Sequence, residues 1–236
     1  MKKMKRRMVG IFLALIIGYG LAVGLCLRAL NMPAAVANVR EMKIVLDAGH
    51  GGIDGGVVGV ATKRKESDVN LSISFLVKER LTDMGFSVVM TRSTDCGLYG
   101  TTLPGFKRRD LEKRKAICES AAPTFVLSIH QNFYPSSSSR GGQVFYEKSN
   151  PQSQSLAESL QKTLNGLYEK QGVKPRVAAA GDYYMLKMSP PSVIVECGFL
   201  SNPKDDALLA DPDFCGKLAD AIAAGVLSEM KNLSAM

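Results

Sequence analysis

The chain has 236 residues, of which 46% are hydrophobic, and it carries 30 Lys and Arg against 22 Asp and Glu. Seven of the basic residues precede Glu41, where no acidic residue occurs, so residues 41–236 are almost neutral, with 23 basic and 22 acidic side chains. The net charge of +8 is therefore an N-terminal feature, and it does not indicate a surface that binds nucleic acid.

Residues 1–40 have the layout of an export signal. The basic segment Met1–Met8 is followed by Val9–Leu27, which contains no charged residue. This uncharged run exceeds the roughly 7–15 residues of a signal-peptide core and approaches the roughly 20 that span a bilayer. The segment Ala35–Ala37 nevertheless offers an A-x-A cleavage sequence. We predict that residues 1–40 are a signal peptide or an N-terminal membrane anchor, and that residues 41–236 form an exported domain.

Strand and helix patterns alternate along this domain. Apolar, β-branched runs predict strands, and apolar residues at helical spacing predict helices. In chain order we predict a strand at 43–47, a helix at 66–84, a strand at 86–91, a helix at 110–121, strands at 125–129 and 142–147, a helix at 151–171, a strand at 192–196 and a helix at 214–230. This order predicts a single α/β domain with a largely parallel, twisted sheet flanked by helices.

The only two histidines of the chain each follow a predicted strand. His50 follows the first strand and His130 the third, while Glu196 ends the last strand and Glu66 begins the helix after the first. Groups at the carboxyl ends of parallel strands meet at one edge of the sheet, so these side chains should converge. Two imidazoles and a carboxylate are a common set of catalytic zinc ligands, and a further carboxylate can act as the general base. The sequence therefore predicts a zinc hydrolase.

The segments that carry these residues resemble the zinc-dependent N-acetylmuramoyl-L-alanine amidases of bacterial cell walls. The resemblance runs in order from residue 43 to the C-terminal helix, and its motifs are Ile44–Gly52, Lys65-Glu66, Met90–Arg92, Ser128–Asn132 and Val195–Pro203. The single catalytic domain after an export segment, together with the strand at 142–146, is most similar to the spore-cortex, germination-specific branch of that family.

This resemblance implies a site and a reaction. It makes His50, Glu66 and His130 the ligands of one Zn²⁺ per chain and Glu196 the catalytic acid and base. The implied reaction is hydrolysis of the amide bond between N-acetylmuramic acid and L-alanine in peptidoglycan. In the spore-cortex branch that reaction belongs to cortex maturation, in which muramic lactam is formed.

Three further polar residues near these motifs have two possible roles. Arg92, Arg114 and Asn132 could bind the acidic stem peptide of the substrate, or they could buttress the site through bonds within the domain. The chain departs from the family pattern at Gln131, where a small residue is usual, and at Cys197, where an aliphatic residue is common. We expect neither of those two side chains to touch the metal.

The cysteines of the domain do not indicate a second kind of metal site. Cys96, Cys118, Cys197 and Cys215 lack the C-x-x-C spacing of thiolate zinc sites. A domain of this length can build a core without disulfides. We predict that all four are buried free thiols that pack as small apolar residues.

The expected partners are peptidoglycan, the membrane if the N-terminal segment is not cleaved, and an accessory or activating protein. Some relatives carry an inserted helix that blocks the zinc, whereas the loops at 93–106 and 133–141 are too short and too rich in Gly, Pro, Ser or Thr to supply one. Two alternatives stay open: another zinc hydrolase of the cell wall, such as a carboxypeptidase or a deacetylase, or a non-catalytic peptidoglycan-binding protein with the same fold.

Overall fold

The computed structural model describes residues 42–235, so the predicted signal peptide or anchor lies outside the described residues. Within that range, no helix combines the length and the hydrophobicity that a membrane crossing requires. Residues 41–236 form one compact unit with its own hydrophobic core, which permits this part of the chain to be produced without residues 1–40.

Strands and helices alternate along residues 42–235. The strands are β1 (Lys43–Ala48), β2 (Ser87–Met90), β3 (Phe125–Asn132), β4 (Gln143–Tyr146), β5 (Ala179–Ala180) and β6 (Ser192–Phe199). The α-helices are α1 (Glu66–Asp83), α2 (Phe106–Ser120), α3 (Pro151–Glu169), α4 (Pro203–Ala210) and α5 (Pro212–Ser234).

All six strands belong to one sheet, in the order β2-β1-β3-β6-β4-β5. Every neighbouring pair is parallel except β4 and β6, which are antiparallel. The α/β prediction with a largely parallel sheet is therefore confirmed. The inner strand β1 is continuously apolar from Ile44 to Leu46, and these residues are fully buried because both faces of the sheet are covered there.

Helices cover the sheet in two layers. Helix α2 lies over β1 and contacts the short 3₁₀ turn Tyr184–Leu186. In that layer Val45 and Val126 of the sheet pack against Cys118, Met185 and Met188. Helices α1 and α3 pack against the strands, and α5 packs against both of these helices to complete the second layer. Because β1, β3 and β6 are neighbouring parallel strands, their carboxyl ends meet at one edge of the sheet.

Several details differ from the sequence prediction. Helix α4 and the two-residue strand β5 were not predicted, and α2 begins at Phe106 instead of residue 110. Three of the cysteines are buried as predicted, but Cys96 is only half-buried, so the prediction is wrong for that residue. Cys96 differs because it lies in the loop between β2 and α2, near the surface, where it accepts a hydrogen bond from the Thr94 hydroxyl.

Candidate metal centre

Two buried arginines hold the turn that presents His50. His50 has a φ of 60°, a left-handed conformation that side chains other than glycine rarely adopt. Arg92 donates to the carbonyl oxygens of Ala48 at 2.8 Å and Gly49 at 3.0 Å. Arg114 donates to Ala48 O at 2.7 Å and to His50 O. Three successive carbonyl groups are thus fixed by two guanidinium groups, which stabilises the unusual turn.

The charge of Arg114 is balanced inside the domain. Its guanidinium donates to Asp47 at 2.8 Å and also pairs with Asp110. Asp47 additionally accepts from the hydroxyl groups of Thr91 and Ser128, both at 2.6 Å. Burial favours the neutral form of Asp47, but Arg114 and the two hydroxyl groups outweigh it and lower the pKa of Asp47 to about 2.

His50, Glu66 and His130 converge at the carboxyl edge of the sheet. His50 Nε2 lies 3.3 Å from one oxygen of Glu66, and His130 Nδ1 lies 3.0 Å from the other. The two imidazole rings meet edge to face, with their centroids 5.0 Å apart. One ligand atom from each residue lies within 4.8 Å of the others, so the cluster could hold a metal ion.

The donor set suits a divalent cation such as zinc, which accepts two imidazoles and one carboxylate. Glu66 is almost fully buried, and backbone N–H groups of Val57 and Gln131 donate to its two oxygens at 3.1 Å each. Burial favours the neutral form of Glu66, but hydrogen bonds and attraction from His130 and His50 keep its pKa well below its usual range. An anionic carboxylate held this way is ready to bind a cation.

Asp54 orients His50 from the side away from Glu66. Its carboxylate lies 3.0 Å from His50 Nδ1, and its other oxygen lies 3.3 Å from Lys107 Nζ. Burial favours the neutral form of His50, but hydrogen bonds and attraction from Glu66 and then Asp54 raise its pKa to about 8. A carboxylate on the second nitrogen is typical of metal-bound histidines. We did not predict Asp54 from the sequence, although its position four residues after His50 was an available signal.

Two glycines allow the ligands to approach this closely. A Cβ atom at Gly49 would lie 2.2 Å from Cε1 and Nε2 of His130. A Cβ atom at Gly56, where φ is 67°, would lie 2.4 Å from a carboxylate oxygen of Glu66. Side chains at either position would displace a ligand, so the glycine-rich segment after β1 is a packing requirement of the site.

Glu196 lies beside the cluster on the neighbouring strand. It is in register with His130, so both side chains project from the same face of the sheet. Its Oε2 atom is buried and has no hydrogen-bond partner within residues 42–235. Burial raises the pKa of Glu196 to about 7; the histidines oppose this rise, and the charge of Glu66 adds to it. A carboxyl group that titrates near neutral pH can both take up and release a proton.

The other residues singled out from the sequence lie around this centre. Asn132 is half-buried at the end of β3, where its backbone carbonyl oxygen accepts a hydrogen bond from Leu200 N at 2.9 Å. Gln131 and Cys197 are buried, and neither belongs to the cluster that could hold a metal. The loops at 93–105 and 133–142 contain no helix, so nothing in these two segments resembles an inhibitory inserted helix.

Comparison with known proteins identifies the family. Residues 44–228 match the family model of N-acetylmuramoyl-L-alanine amidases. The germination-specific N-acetylmuramoyl-L-alanine amidase of Bacillus subtilis strain 168 is 36% identical over 187 residues, which cover 78% of each chain.

Solved amidase structures agree with this family assignment. The CwlD amidase of Clostridioides difficile, in complex with the GerS lipoprotein, superposes with a TM-score of 0.77 at 34% identity, covering 81% of this chain and 100% of that one. The catalytic domain of CwlV from Bacillus (Paenibacillus) polymyxa var. colistinus superposes with a TM-score of 0.68 at 30% identity, covering 83% and 99%. The chain therefore belongs to the N-acetylmuramoyl-L-alanine amidase family and is a peptidoglycan amidase.

Proposed function

We propose that the amidase is zinc-dependent, with His50, Glu66 and His130 as the ligands of one Zn²⁺ and Glu196 as the catalytic acid and base. The observation that carries this proposal is the convergence of the three ligand atoms within 4.8 Å, beside a glutamate in register with His130. When bound, zinc supplies a Lewis acid that polarises the amide carbonyl and makes water more acidic.

Glu196 moves the proton in this proposal. The Glu196 side chain is only partly buried and projects from the same face of the sheet as His130, so its carboxylate can accept the proton of the attacking water. Because the pKa of Glu196 is raised to about 7, the same carboxyl group can then give that proton to the leaving amine of L-alanine. The water oxygen bonds to the amide carbon, the C–N bond breaks as the amine takes the proton, and the carboxylate of Glu196 is regenerated.

Arg92 and Arg114 buttress the site in this proposal. Their side chains are 3% and 2% exposed and donate to carbonyl groups of the His50 turn, so they do not face the substrate. Asn132 is half-buried beyond His130 at the same edge of the sheet, and we assign it the contact with the stem peptide.

We further propose that the enzyme acts outside the cytoplasm in spore-cortex maturation, with an accessory protein. Support for the setting comes from the germination-specific relative in B. subtilis. Support for a partner comes from CwlD of C. difficile, which is in complex with the lipoprotein GerS.

The need for a partner is tested by comparing the activity of residues 41–236 alone with their activity in the presence of extract from the source organism. Full activity that the extract does not change would remove the need for a partner.

The reaction is tested by incubating purified peptidoglycan with residues 41–236 and zinc, followed by mass analysis of the products. We expect intact stem peptides that begin with L-alanine. A carboxypeptidase would release only the terminal residue of the stem, a deacetylase would release acetate, and a binding protein would release nothing. Any of these three results would replace the proposed reaction.

A further inference from the structure

Two buried side-chain amides lie behind the proposed zinc ligand Glu66. Asn70 follows Glu66 by one turn of α1 and is fully buried, and Gln131 follows His130 on β3 and is 3% exposed. We propose that Asn70 and Gln131 are positioning residues that hold the Glu66 carboxylate in place and thereby strengthen zinc binding. The inference rests on the proposed zinc ligands.

The contacts form one connected network. The backbone N–H of Gln131 donates to Glu66 Oε1 at 3.1 Å, and the side-chain amide of Gln131 donates to Asn70 Oδ1 at 3.2 Å. The amide nitrogen of Asn70 donates to Gly49 O at 3.1 Å and lies 3.4 Å from Glu66 Oε1. Gly49 precedes His50 and Gln131 follows His130, so the network joins the three segments that carry the proposed ligands.

The direction of these bonds follows from the charge of Glu66. A carboxylate only accepts hydrogen bonds, so Asn70 must turn its NH₂ group towards it. That orientation leaves the Asn70 oxygen facing Gln131, whose side chain must then donate its NH₂ group. Reversing both amides would direct the Asn70 oxygen at the anionic carboxylate. The network is thus set by Glu66 and in turn fixes where Glu66 lies.

The side-chain oxygen of Gln131 indicates that this amide has a role besides packing. Its Oε1 atom is buried and has no hydrogen-bond partner within the described part of the chain. A buried amide oxygen without a donor is unfavourable, and an aliphatic side chain would avoid it. The contact that Gln131 makes through its nitrogen, towards Asn70 and the ligand, accounts for an amide at this position.

The test is the zinc affinity of residues 41–236, measured by competition with a chromogenic chelator, for Asn70→Ala, Gln131→Ala and Gln131→Met. Methionine keeps the size of glutamine but cannot donate, so it separates the hydrogen bond from the volume. We expect each variant to bind zinc about 10–100-fold more weakly than the parent. The double variant Asn70→Ala/Gln131→Ala should lose less than the product of the single losses, because both residues act through one network.

Gln161→Ala is the matched control. Gln161 is also 3% exposed and bonded, but it lies on α3 and donates to Gly142 O, away from the ligands. The Gln161→Ala variant should have a lower melting temperature than the parent in the metal-free form and an unchanged zinc affinity. Zinc affinities of Asn70→Ala and Gln131→Met within twofold of the parent would overturn the inference, as would an equal loss in Gln161→Ala. A parent that binds no zinc, or a His130→Ala variant that binds it normally, would overturn the ligand assignment itself.

Discussion

At the scale of single residues, Glu196 carries the sharpest chemical expectation. Replacing it with glutamine keeps the size of the side chain but removes the group that accepts a proton. We expect Glu196→Gln to retain its zinc and its melting temperature while kcat falls by about 10²–10⁴-fold, the usual contribution of a general base. Measuring kcat on a defined muropeptide, with zinc content on the same sample, checks this. Near-normal turnover would assign the proton transfer to another group.

Gly49 offers a test of the geometry that does not alter any proposed ligand. Since a Cβ atom there would lie 2.2 Å from the His130 ring, Gly49→Ala must push that imidazole aside. We expect zinc content and activity to fall by at least tenfold. Loss of a residue that only supports a metal ligand lowers metal affinity or activity by about 10–100-fold, and displacing the ligand itself should lower them at least as much. Gly216→Ala in α5 is the control: apart from its chain neighbours and the backbone of its own helix, no atom of residues 42–235 lies within 4 Å of the added methyl group, so that variant should keep its zinc. Normal zinc binding by Gly49→Ala would show that His130 is not held where the structure has it.

The residues of the site differ in how far the sequence reveals them. His50, His130, Glu66 and Glu196 follow from strand ends and helix starts, because the carboxyl edge of a parallel sheet collects such positions. Asp54 and the contacts of Asn70 do not follow from that rule. They depend on the path of a glycine-rich turn and on the rotation of α1 about its axis, which only the folded chain specifies.

At the scale of elements, the pair Asp47–Arg114 joins β1 to α2. We expect Asp47→Asn to lower the free energy of unfolding at pH 7 by about 3–5 kcal/mol, because it leaves the buried guanidinium with one fewer anion. The pKa of Asp47 is lowered from 3.8 to about 2, so its contribution is complete above pH 3.8 and is lost as the pH falls through 2. The difference in free energy of unfolding between the parent and Asp47→Asn should therefore become smaller as the pH is lowered from about 5.

Urea unfolding at several pH values measures this difference. The exposed Asp83 at the end of α1 provides a control, since Asp83→Asn should change stability by less than about 0.5 kcal/mol. If the difference in free energy of unfolding between the parent and Asp47→Asn stayed constant between pH 7 and pH 3, it would contradict the role assigned to the Asp47 carboxylate.

The elements themselves were predicted in type and order, with errors at short or polar segments. Helix α4 has a capping signal, because the Asn202 side chain accepts from Lys204 N and Asp205 N, but its eight residues are too few for a clear periodicity. The start of α2 is basic, and Arg109 there donates to the carbonyl groups of Thr101, Leu103 and Pro104. A helix start stabilised by the preceding loop shows no apolar pattern. The order of strands across the sheet, in which β4 lies between β6 and β5 and is antiparallel to β6 but parallel to β5, is likewise set by tertiary packing.

At the scale of the whole molecule, the charge is divided unevenly along the chain. Residues 41–236 are nearly neutral, whereas residues 1–40 carry basic side chains and no acidic ones. A basic end before an uncharged run is retained on the cytoplasmic side while the following domain is exported. This division fits an enzyme whose substrate, peptidoglycan, lies outside the membrane.

We therefore predict that residues 1–40 direct the amidase domain across a membrane, as a cleaved signal or as an anchor. N-terminal sequencing of the mature protein, combined with fractionation of the cells, distinguishes the two. A start at Asn38 would show cleavage after Ala37, and an intact N-terminus in the membrane fraction would show an anchor. Replacing Lys2, Lys3 and Lys5 with glutamate should reduce export in either case, because it removes most of the charge that holds the N-terminus inside. Full-length protein found soluble in the cytoplasm would contradict both forms of the prediction.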